Sequence, residues 1–404
     1  MARTAAVLPS GTRITDLISL GVIAKTFSRD HIERIVLETG RSSKRQRSLP
    51  AHVVMYYVIA MALFMEASYR EVLRCLLEGI RWLVGDNTDI AVAVKSSISE
   101  ARTKLGWEPV KKLHDEVVVP IATRKTKGAY YRDWQLISLD GSTFDVADTK
   151  DNVQEFGRPA ASRGSSAYPQ IRFVSLVENG THVLFASELG PCTGKGTGEI
   201  TLARKVLQAL KPGMLCLADR YYPSYDLWKQ AKSTGADLLW RARTDLVLPR
   251  EKELPDGSFL STMYPGDKKD RRKKINGVTV RVIEYKLEGV ADSEPFYRLI
   301  TTILDPEKAP AQELAAVYHE RWEIENSLGE LKTRLRGARV VLRSKTPTLV
   351  RQEFYGFMMA HFAIRGLMHE AALKADEDPD RLSFLHAVRV IRRKLPLMVA
   401  FSPL

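Results

Sequence analysis

The pattern of apolar and polar positions changes once along the chain, near Tyr131. Before that point, apolar residues recur at the spacing of helices that bury one face. The segments with this spacing are Arg13–Ile23, Arg29–Glu38, Ala51–Met65, Tyr69–Leu83 and Lys95–Val119. Ser28 is predicted to cap the second of them, because its hydroxyl can accept from a free N–H group of the first turn. The pattern predicts an all-helical N-terminal domain over residues 1–130.

Beyond Tyr131, short apolar runs are separated by turns and helical segments. Strands are predicted at Gln135–Asp140, Ile171–Val177, Thr181–Leu189, Met214–Asp219 and Asp237–Arg243, and helices at Gly198–Leu210 and Pro223–Ser233. Glu178–Asn179–Gly180 is predicted to be the turn of a hairpin. Strands that come first in a hairpin and then alternate with helices predict a mixed sheet, so residues 131–404 are expected to form an α/β domain.

Residues 243–304 interrupt this pattern with short alternating strands and turns rich in Pro, Gly and Asp. We therefore expect a β-rich insertion in the α/β domain. A long segment of strong helix formers follows, Ala309–Leu335, and is predicted to be one helix. Further helices are predicted at Val350–Lys374 and Ser383–Lys394.

The composition favours a polyanionic partner, because 61 Lys and Arg residues face 48 Asp and Glu residues and the formal net charge is +13. The three cysteines are isolated from one another, which argues against a disulfide framework or a structural zinc site. The most apolar run, Val53–Met65, is too short to span a bilayer, and the N-terminus lacks a secretory signal. A cytoplasmic protein without a membrane partner is predicted.

Three widely spaced acids are the candidate catalytic residues and metal ligands. Asp140 and Asp219 are each predicted to end an apolar strand, where α/β sheets usually bind ligands. Glu325 lies on the long predicted helix. Carboxylates without a histidine partner suit Mg²⁺ or Mn²⁺, and two such ions can assist phosphoryl displacement. Asp145 and Asp148 remain alternatives for the first acid if their strand continues past Asp140.

Glu325 shares one stripe of its predicted helix with Tyr318, Arg321 and Lys332. At about 100° per residue the four side chains fall within an arc of about 60°. The acids Glu320, Glu323 and Glu330 point away from that arc. Arg321 and Lys332 are expected to hold a phosphodiester, and Tyr318 to bond a phosphate or stack on a base.

Three motifs together resemble the DDE transposases of the insertion sequence 4 family. That family has an acid followed by Gly and Ser or Thr, matched by Asp140–Gly141–Ser142. Its second acid is followed by Arg and aromatics, matched by Asp219–Arg220–Tyr221–Tyr222. Its last motif places Tyr, Arg, Glu and Lys at the spacing of Tyr318, Arg321, Glu325 and Lys332. The resemblance covers nearly the whole chain and implies a ribonuclease H-like catalytic core with a β-rich insertion.

The resemblance implies DNA cleavage at transposon ends, dependent on Mg²⁺ or Mn²⁺, followed by attack of the freed 3′-OH on target DNA. The implied partner is double-stranded DNA, bound by a homodimer in a synaptic complex on a bacterial-type nucleoid. Alternatives are a metal-dependent nuclease on the same fold and an inactive DNA-binding derivative. Several family members cleave through a DNA hairpin with a Trp in the insertion. Here no Trp lies between Trp240 and Trp322, and Trp240 is predicted to be a core residue.

Basic residues outside the stripe are predicted to contact the DNA backbone. The predicted contacts are Arg220 beside the second acid, Lys44, Arg45 and Arg47 in the cluster Arg41–Arg47, and Arg271, Arg272 and Lys273 in the cluster Lys268–Lys274.

Overall fold

The computed structural model describes residues 15–42, 49–74, 76, 95–161, 164–266, 268–286, 296–337 and 341–393. The α-helices are α1 Thr15–Thr26, α2 Arg29–Glu38, α3 Ala51–Leu63, α4 Lys95–Leu105, α5 Glu108–Val117, α6 Lys150–Phe156, α7 Glu199–Val206, α8 Tyr225–Lys232, α9 Lys268–Lys273, α10 Ala311–His319, α11 Glu323–Gly329, α12 Pro347–Ala375 and α13 Phe384–Arg393. None of the helices within these ranges is both long enough and apolar enough to cross a membrane.

The strands are β1 Tyr130–Tyr131, β2 Trp134–Asp145, β3 Ala160–Ala161, β4 Gly164–Ser165, β5 Gln170–Glu178, β6 Val183–Pro191, β7 Met214–Ala218, β8 Asp237–Arg241, β9 Lys252–Glu253, β10 Phe259–Met263, β11 Val278–Tyr285 and β12 Tyr297–Thr301. Ten of them form one mixed sheet in the order β6-β5-β2-β7-β8-β12-β11-β10-β9, with β1 beside β2. The predicted hairpin is confirmed, because β5 and β6 pair in antiparallel register.

The centre of the sheet is parallel, since β7 pairs in parallel with both β2 and β8. All five residues of β7 are buried, as expected for a parallel strand that is covered on both faces. Successive residues of β7 belong to different hydrophobic cores: Cys216 packs into one and Leu217 into the other. The mixed α/β arrangement agrees with a ribonuclease H-like core.

The β-rich residues that interrupt the α/β pattern extend this same sheet. β12 pairs antiparallel with β8, with Ile300 opposite Trp240, and β11, β10 and β9 continue outward. Trp240 is fully buried and packs edge-on against Trp228 at 5.2 Å, which confirms its predicted place in the core.

The N-terminal helices share a hydrophobic core with the C-terminal helix α12. Val58 of α3 lies so close to Gly356 of α12 that a Cβ on this glycine would come within 2.6 Å of the Val58 carbonyl oxygen. Phe27 packs against Phe362 in the same core. The division into domains at residue 130 stays a prediction, and the shared core shows that both parts of the chain are packed together.

Two predicted helices differ from the structure. Lys95–Val119 is broken into α4 and α5, because Gly106 takes a left-handed conformation (φ 74°) and Pro109 lies in the first turn of α5. Of the predicted helix Tyr69–Leu83, residues 69–74 are helical, and most of the rest lies outside the described residues. Ser28 does cap α2, accepting from the His31 N–H at 3.4 Å.

Candidate active site at the ends of two parallel strands

Asp140 and Asp219 lie next to each other where the parallel strands β2 and β7 stop pairing. The last paired residues are Leu139 and Ala218, and the two aspartates come immediately after them. The prediction that β2 ends at Asp140 is wrong, because its antiparallel pairing with β5 continues as far as Asp145. Only the parallel pairing of β2 with β7 ends before Asp140, and this opens space beside Asp140.

The Asp140 carboxyl lies in an environment that disfavours its negative charge. Burial raises its pKa to about 6, and the nearby charges of Asp219 and Glu199 contribute to the rise. The Gly141 N–H, 2.7 Å from Asp140 Oδ1, and the Arg321 guanidinium act in the opposite direction. Neighbouring acids without enough positive charge form the kind of centre that a cation stabilises.

Asp219 begins a tight turn out of β7. Its Oδ1 accepts a hydrogen bond from the Tyr221 N–H at 2.9 Å, which fixes the carboxylate at the strand end. Arg220 and Tyr221 are exposed, whereas Tyr222 is buried.

The segment Ala311–Leu335, called the signature segment below, is helical throughout but is not the single regular helix that was predicted. Helix α10 is followed by a 3₁₀ turn at Glu320–Trp322, then by α11, and then by a π-helical turn at Glu330–Leu335. Leu314 packs in one core of the sheet and Leu328 in the other. The segment therefore crosses over the strand ends, and π turns are frequent at functional sites.

Arg321 connects two of the three predicted catalytic acids. One of its terminal nitrogens lies 3.9 Å from Asp140 Oδ2, and the other lies 3.4 Å from Glu325 Oε1. The Arg321 side chain is only 11% exposed, whereas that of Glu325 is 47% exposed. The guanidinium thus holds Glu325 at the open end of the site, facing the strand that carries Asp140.

Lys332 reaches the same strand from the π-helical turn. Its Nζ donates to Ser142 Oγ at 2.9 Å, two residues beyond Asp140. Burial lowers the pKa of Lys332, and the positive charge of Arg336 lowers it further. An ammonium group that is poorly solvated and has a neutral partner is well suited to bind an anion.

Tyr318 has a different environment from the one predicted. It is only 7% exposed, and its hydroxyl donates to the Ala218 carbonyl at 3.3 Å. The hydroxyl is therefore engaged within the protein, and the contact of Tyr318 with DNA stays a prediction. Tyr318 fixes the signature segment to the strand end that carries Asp219.

Glu323 and Glu330, two of the acids expected to point away from the stripe, do so. Glu323 accepts from the Gly180 N–H, and Glu330 pairs with Arg365, whose Nε lies 2.8 Å from Glu330 Oε2. His182, Glu323 and Asp380 place ligand atoms within 4.8 Å of one another, and within the described ranges no other group of three does so. The predicted ligands Asp140, Asp219 and Glu325 are therefore farther apart than this. Arg365, which contacts His182 and Glu330, already supplies a positive charge to the buried group.

Comparison with known protein families identifies the chain. The model described as "Transposase DDE domain" matches residues 133–363, and "Insertion element 4 transposase N-terminal" matches residues 17–115. The chain belongs to the insertion sequence 4 family of DDE transposases.

Two relatives come from Escherichia coli (strain K12). "Transposase InsG for insertion sequence element IS4" is 27% identical over 380 residues, which are 92% of this chain and 82% of that protein. InsZ, which carries a transposase name, is 23% identical over 268 residues, 64% of this chain and 82% of that protein.

Within this transposase, the two alternatives for the first acid lie away from Asp219. Asp145 is five residues farther along β2, about 16 Å, and the odd spacing puts it on the other face of the strand. Its Oδ1 accepts from Gln170 at 2.7 Å, and Asp148 pairs with Arg158 at 2.5 Å. Asp140 is the aspartate that the structure brings to Asp219.

The structure describes only part of the predicted basic clusters. Lys44, Arg45 and Arg47 are outside the described residues. Arg271, Arg272 and Lys273 belong to α9, and the last two of these are exposed.

Two features of the site were missed by the sequence analysis. Glu199, the first residue of α7, lies beside Gly141, and only the glycine-rich stretch before it could have drawn notice. A cleft of about 260 Å³ is lined by Arg220, Arg241, Arg243, Arg298 and Phe296, among others. Its arginines come from β8 and the residues just after it, from β12 and from the turn after β7, so no local pattern could reveal it.

Proposed function

We propose that this transposase cleaves DNA at the ends of its mobile element and joins the freed 3′-OH ends to target DNA. One observation carries the proposal most directly: Arg321 contacts both Asp140 and Glu325 at the strand end where Asp140 adjoins Asp219. The motif that suggested the family thus corresponds to a spatial cluster at the edge where α/β sheets bind ligands.

Asp140, Asp219 and Glu325 would hold the divalent cations. The donor set fits Mg²⁺ or Mn²⁺, because carboxylate oxygens are hard ligands and Asp140 lies in a buried site with too little positive charge. Two such ions, when bound, activate a water or hydroxyl nucleophile and stabilise the leaving oxygen. Glu325 is the most exposed of the three, and its present partner is Arg321.

Arg321 and Lys332 would hold the scissile phosphodiester between the strand end and the signature segment. Arg321 offers a planar fork of donors, whereas Lys332 offers a single charge beside Ser142. Because both side chains are partly buried and already oriented, they would bind the phosphate with little loss of side-chain entropy.

The DNA backbone would continue from the site into the arginine-lined cleft that contains Arg220. Exposed Arg272 and Lys273, together with Arg271, Lys44, Arg45 and Arg47, would add contacts to phosphates. The setting proposed for this reaction is a homodimer in a synaptic complex with double-stranded DNA in the bacterial cytoplasm, associated with the nucleoid. A hairpin intermediate is not part of the proposal, since Trp240 is buried and no Trp follows it before Trp322.

A strand-transfer assay tests the proposal. Labelled DNA from the boundary of the coding region, containing any imperfect inverted repeat, is incubated with supercoiled target DNA and Mg²⁺. Wild-type protein should give labelled 3′ ends joined to the target, whereas Glu325→Gln should give neither cleavage nor joining. Glu320→Gln, an exposed acid of the same segment, is the matched control. Cleavage without any joined product would favour a nuclease on the same fold, and binding without cleavage an inactive derivative.

A further inference from the structure

Glu199 lies at the catalytic centre although no motif includes it. It is the first residue of α7, and its side chain passes over Gly141, the residue after Asp140. A Cβ built on Gly141 would lie 3.1 Å from Glu199 Cδ and 3.1 Å from the Phe173 carbonyl oxygen. A side chain at position 141 would therefore push the Glu199 carboxylate away from Asp140.

The Glu199 carboxylate has little to neutralise it. Its ion-pair partner within the described part of the chain is Arg172, whose Nε lies 3.8 Å from Glu199 Oε1, beyond hydrogen-bond distance. The Arg172 Nε has no hydrogen-bond partner in the part of the chain that the structure describes. Glu199 is therefore not engaged in a tight structural ion pair, and its oxygens remain available.

Tyr222 provides an independent sign that the site accommodates a ligand. Tyr222 is 1% exposed, and among the residues that the structure describes its hydroxyl has no hydrogen-bond partner. Burial raises its pKa, and the charges of Asp140, Glu199 and Asp219 raise it further, so the hydroxyl lies where all three charges act on it. A buried hydroxyl rarely goes without a partner, so a ligand at the three carboxylates would satisfy it.

We infer that Glu199 is a fourth acid of the centre, which holds the same divalent cation as Asp140 and Asp219 through one of the cation's waters. A contact through water fits the geometry, because the ligand atoms of these three acids do not all lie within 4.8 Å of one another. The inference rests on the proposed function, which supplies the cation. It also gives Gly141 a role: the absence of a side chain lets Glu199 approach the first acid.

A purely structural role predicts different behaviour. An acid in the first turn of a helix stabilises that helix through its dipole, and Glu199 also attracts Arg172. Under that role, loss of the charge would lower the thermal stability of the protein and leave its affinity for cations unchanged.

The test measures Mn²⁺ binding to the full-length protein without DNA, by electron paramagnetic resonance titration. Glu199→Gln should weaken Mn²⁺ binding about tenfold or more, in the range seen when groups that orient or supplement metal ligands are lost. Asp140→Asn is the reference for a lost ligand. Glu188→Gln is the matched control, because Glu188 is also partly buried and pairs with one basic residue, Lys111, but lies away from the site.

Glu199→Asp keeps the charge at the start of α7 but shortens the side chain. It keeps the test valid if the Gln variant fails to fold. We expect it to match the wild-type thermal midpoint and still bind Mn²⁺ more weakly. Wild-type Mn²⁺ affinity in both Glu199 variants, with weakened binding in Asp140→Asn, would overturn the inference and leave the proposed function intact. Wild-type affinity in Asp140→Asn as well would count against both.

Discussion

On each of two faces of the signature segment a glutamate pairs with an arginine, but the environments of the two pairs are opposite. On the open face, Glu325 is 47% exposed and is held loosely by Arg321. On the buried face, Glu330 is 4% exposed and pairs with Arg365, which is 1% exposed. Both pairs join a glutamate to an arginine, yet one lies at the strand end that carries Asp140 and the other between packed helices.

The difference shows how the signature segment can carry a loosely paired acid on one face while its other face fixes its position. The buried pair and Glu323, which accepts from the Gly180 N–H, fix the segment to α12 and to the hairpin of β5 and β6. Burial and the nearby charge of Asp380 raise the pKa of Glu323. The open face can then keep an acid poorly paired, ready for a cation, because stability comes from the other face.

The largest effect is expected for a substitution beside the open face, at Asp140. Asp140→Asn should lower DNA cleavage by about 10⁴-fold or more, as expected when a metal ligand worth several kcal/mol is lost. The free energy of unfolding should stay the same or rise at pH 7, because burial and neighbouring acids disfavour the charge that is removed. Cleavage assays and thermal denaturation measure the two quantities.

The matched control for Asp140→Asn is Asp226→Asn, an exposed aspartate in the first turn of α8. It should cleave like the wild type. Near-normal cleavage by Asp140→Asn would remove Asp140 from the catalytic acids and return Asp145 and Asp148 to consideration.

The buried face should respond in the opposite sense. Glu330→Gln should lower the free energy of unfolding by about 3–5 kcal/mol, because it leaves the buried Arg365 without a counter-charge. Urea denaturation provides the measurement. The double variant Glu330→Leu with Arg365→Met should recover most of the loss, since an apolar pair has no unpaired charge. A single variant as stable as the wild type would show that the buried pair is not the anchor.

Substitutions of Arg321 and Lys332 should have an intermediate effect, which is confined to DNA cleavage and DNA binding. Arg321→Ala and Lys332→Ala should each slow cleavage about 10–100-fold, since one charge-assisted hydrogen bond is worth about 1.5–3 kcal/mol. Each should also reduce the salt dependence of DNA binding by about one phosphate contact. Arg321→Lys, which keeps the charge but not the fork, separates the two contributions. Unchanged cleavage and salt dependence in both alanine variants would exclude the phosphate-binding role.

The smallest expected effect is the pH dependence of the stability that Glu330 contributes on the buried face. Burial acts to raise the pKa of Glu330, but the nearby His182 and His361, each with a ring nitrogen 3.5 Å from a Glu330 oxygen, and the charge of Arg365 outweigh it and lower the pKa. A lowered pKa gives stability that is present above the unfolded value of about 4.3 and is lost as the pH falls below it. The difference in unfolding free energy between wild type and Glu330→Gln should therefore narrow between about pH 5 and pH 3. A difference that stays constant would contradict this linkage.

The sequence by itself determined the elements and the motif residues. Apolar periodicity gave most helices and the central strands, because each depends on residues within one or two turns or along one strand. It also gave Asp140, Asp219 and the residues of the signature segment, whose spacing is local. It could not predict the 3₁₀ turn and the π-helical turn of that segment, because the residue types found there also fit a regular α-helix.

Only the tertiary structure decided what those residues touch. Arg321 meets Asp140, Lys332 meets Ser142 and Tyr318 meets Ala218 across about 100 to 190 positions of chain. Such contacts follow from the register of β2 with β7 and from the path of the signature segment over the strand ends. The approach of Glu199 over Gly141 is also decided by tertiary packing. Because Gly141 has no side chain, the carboxylate of the distant Glu199 has room beside it. Local pattern specifies which residues can react, and long-range packing specifies which of them meet.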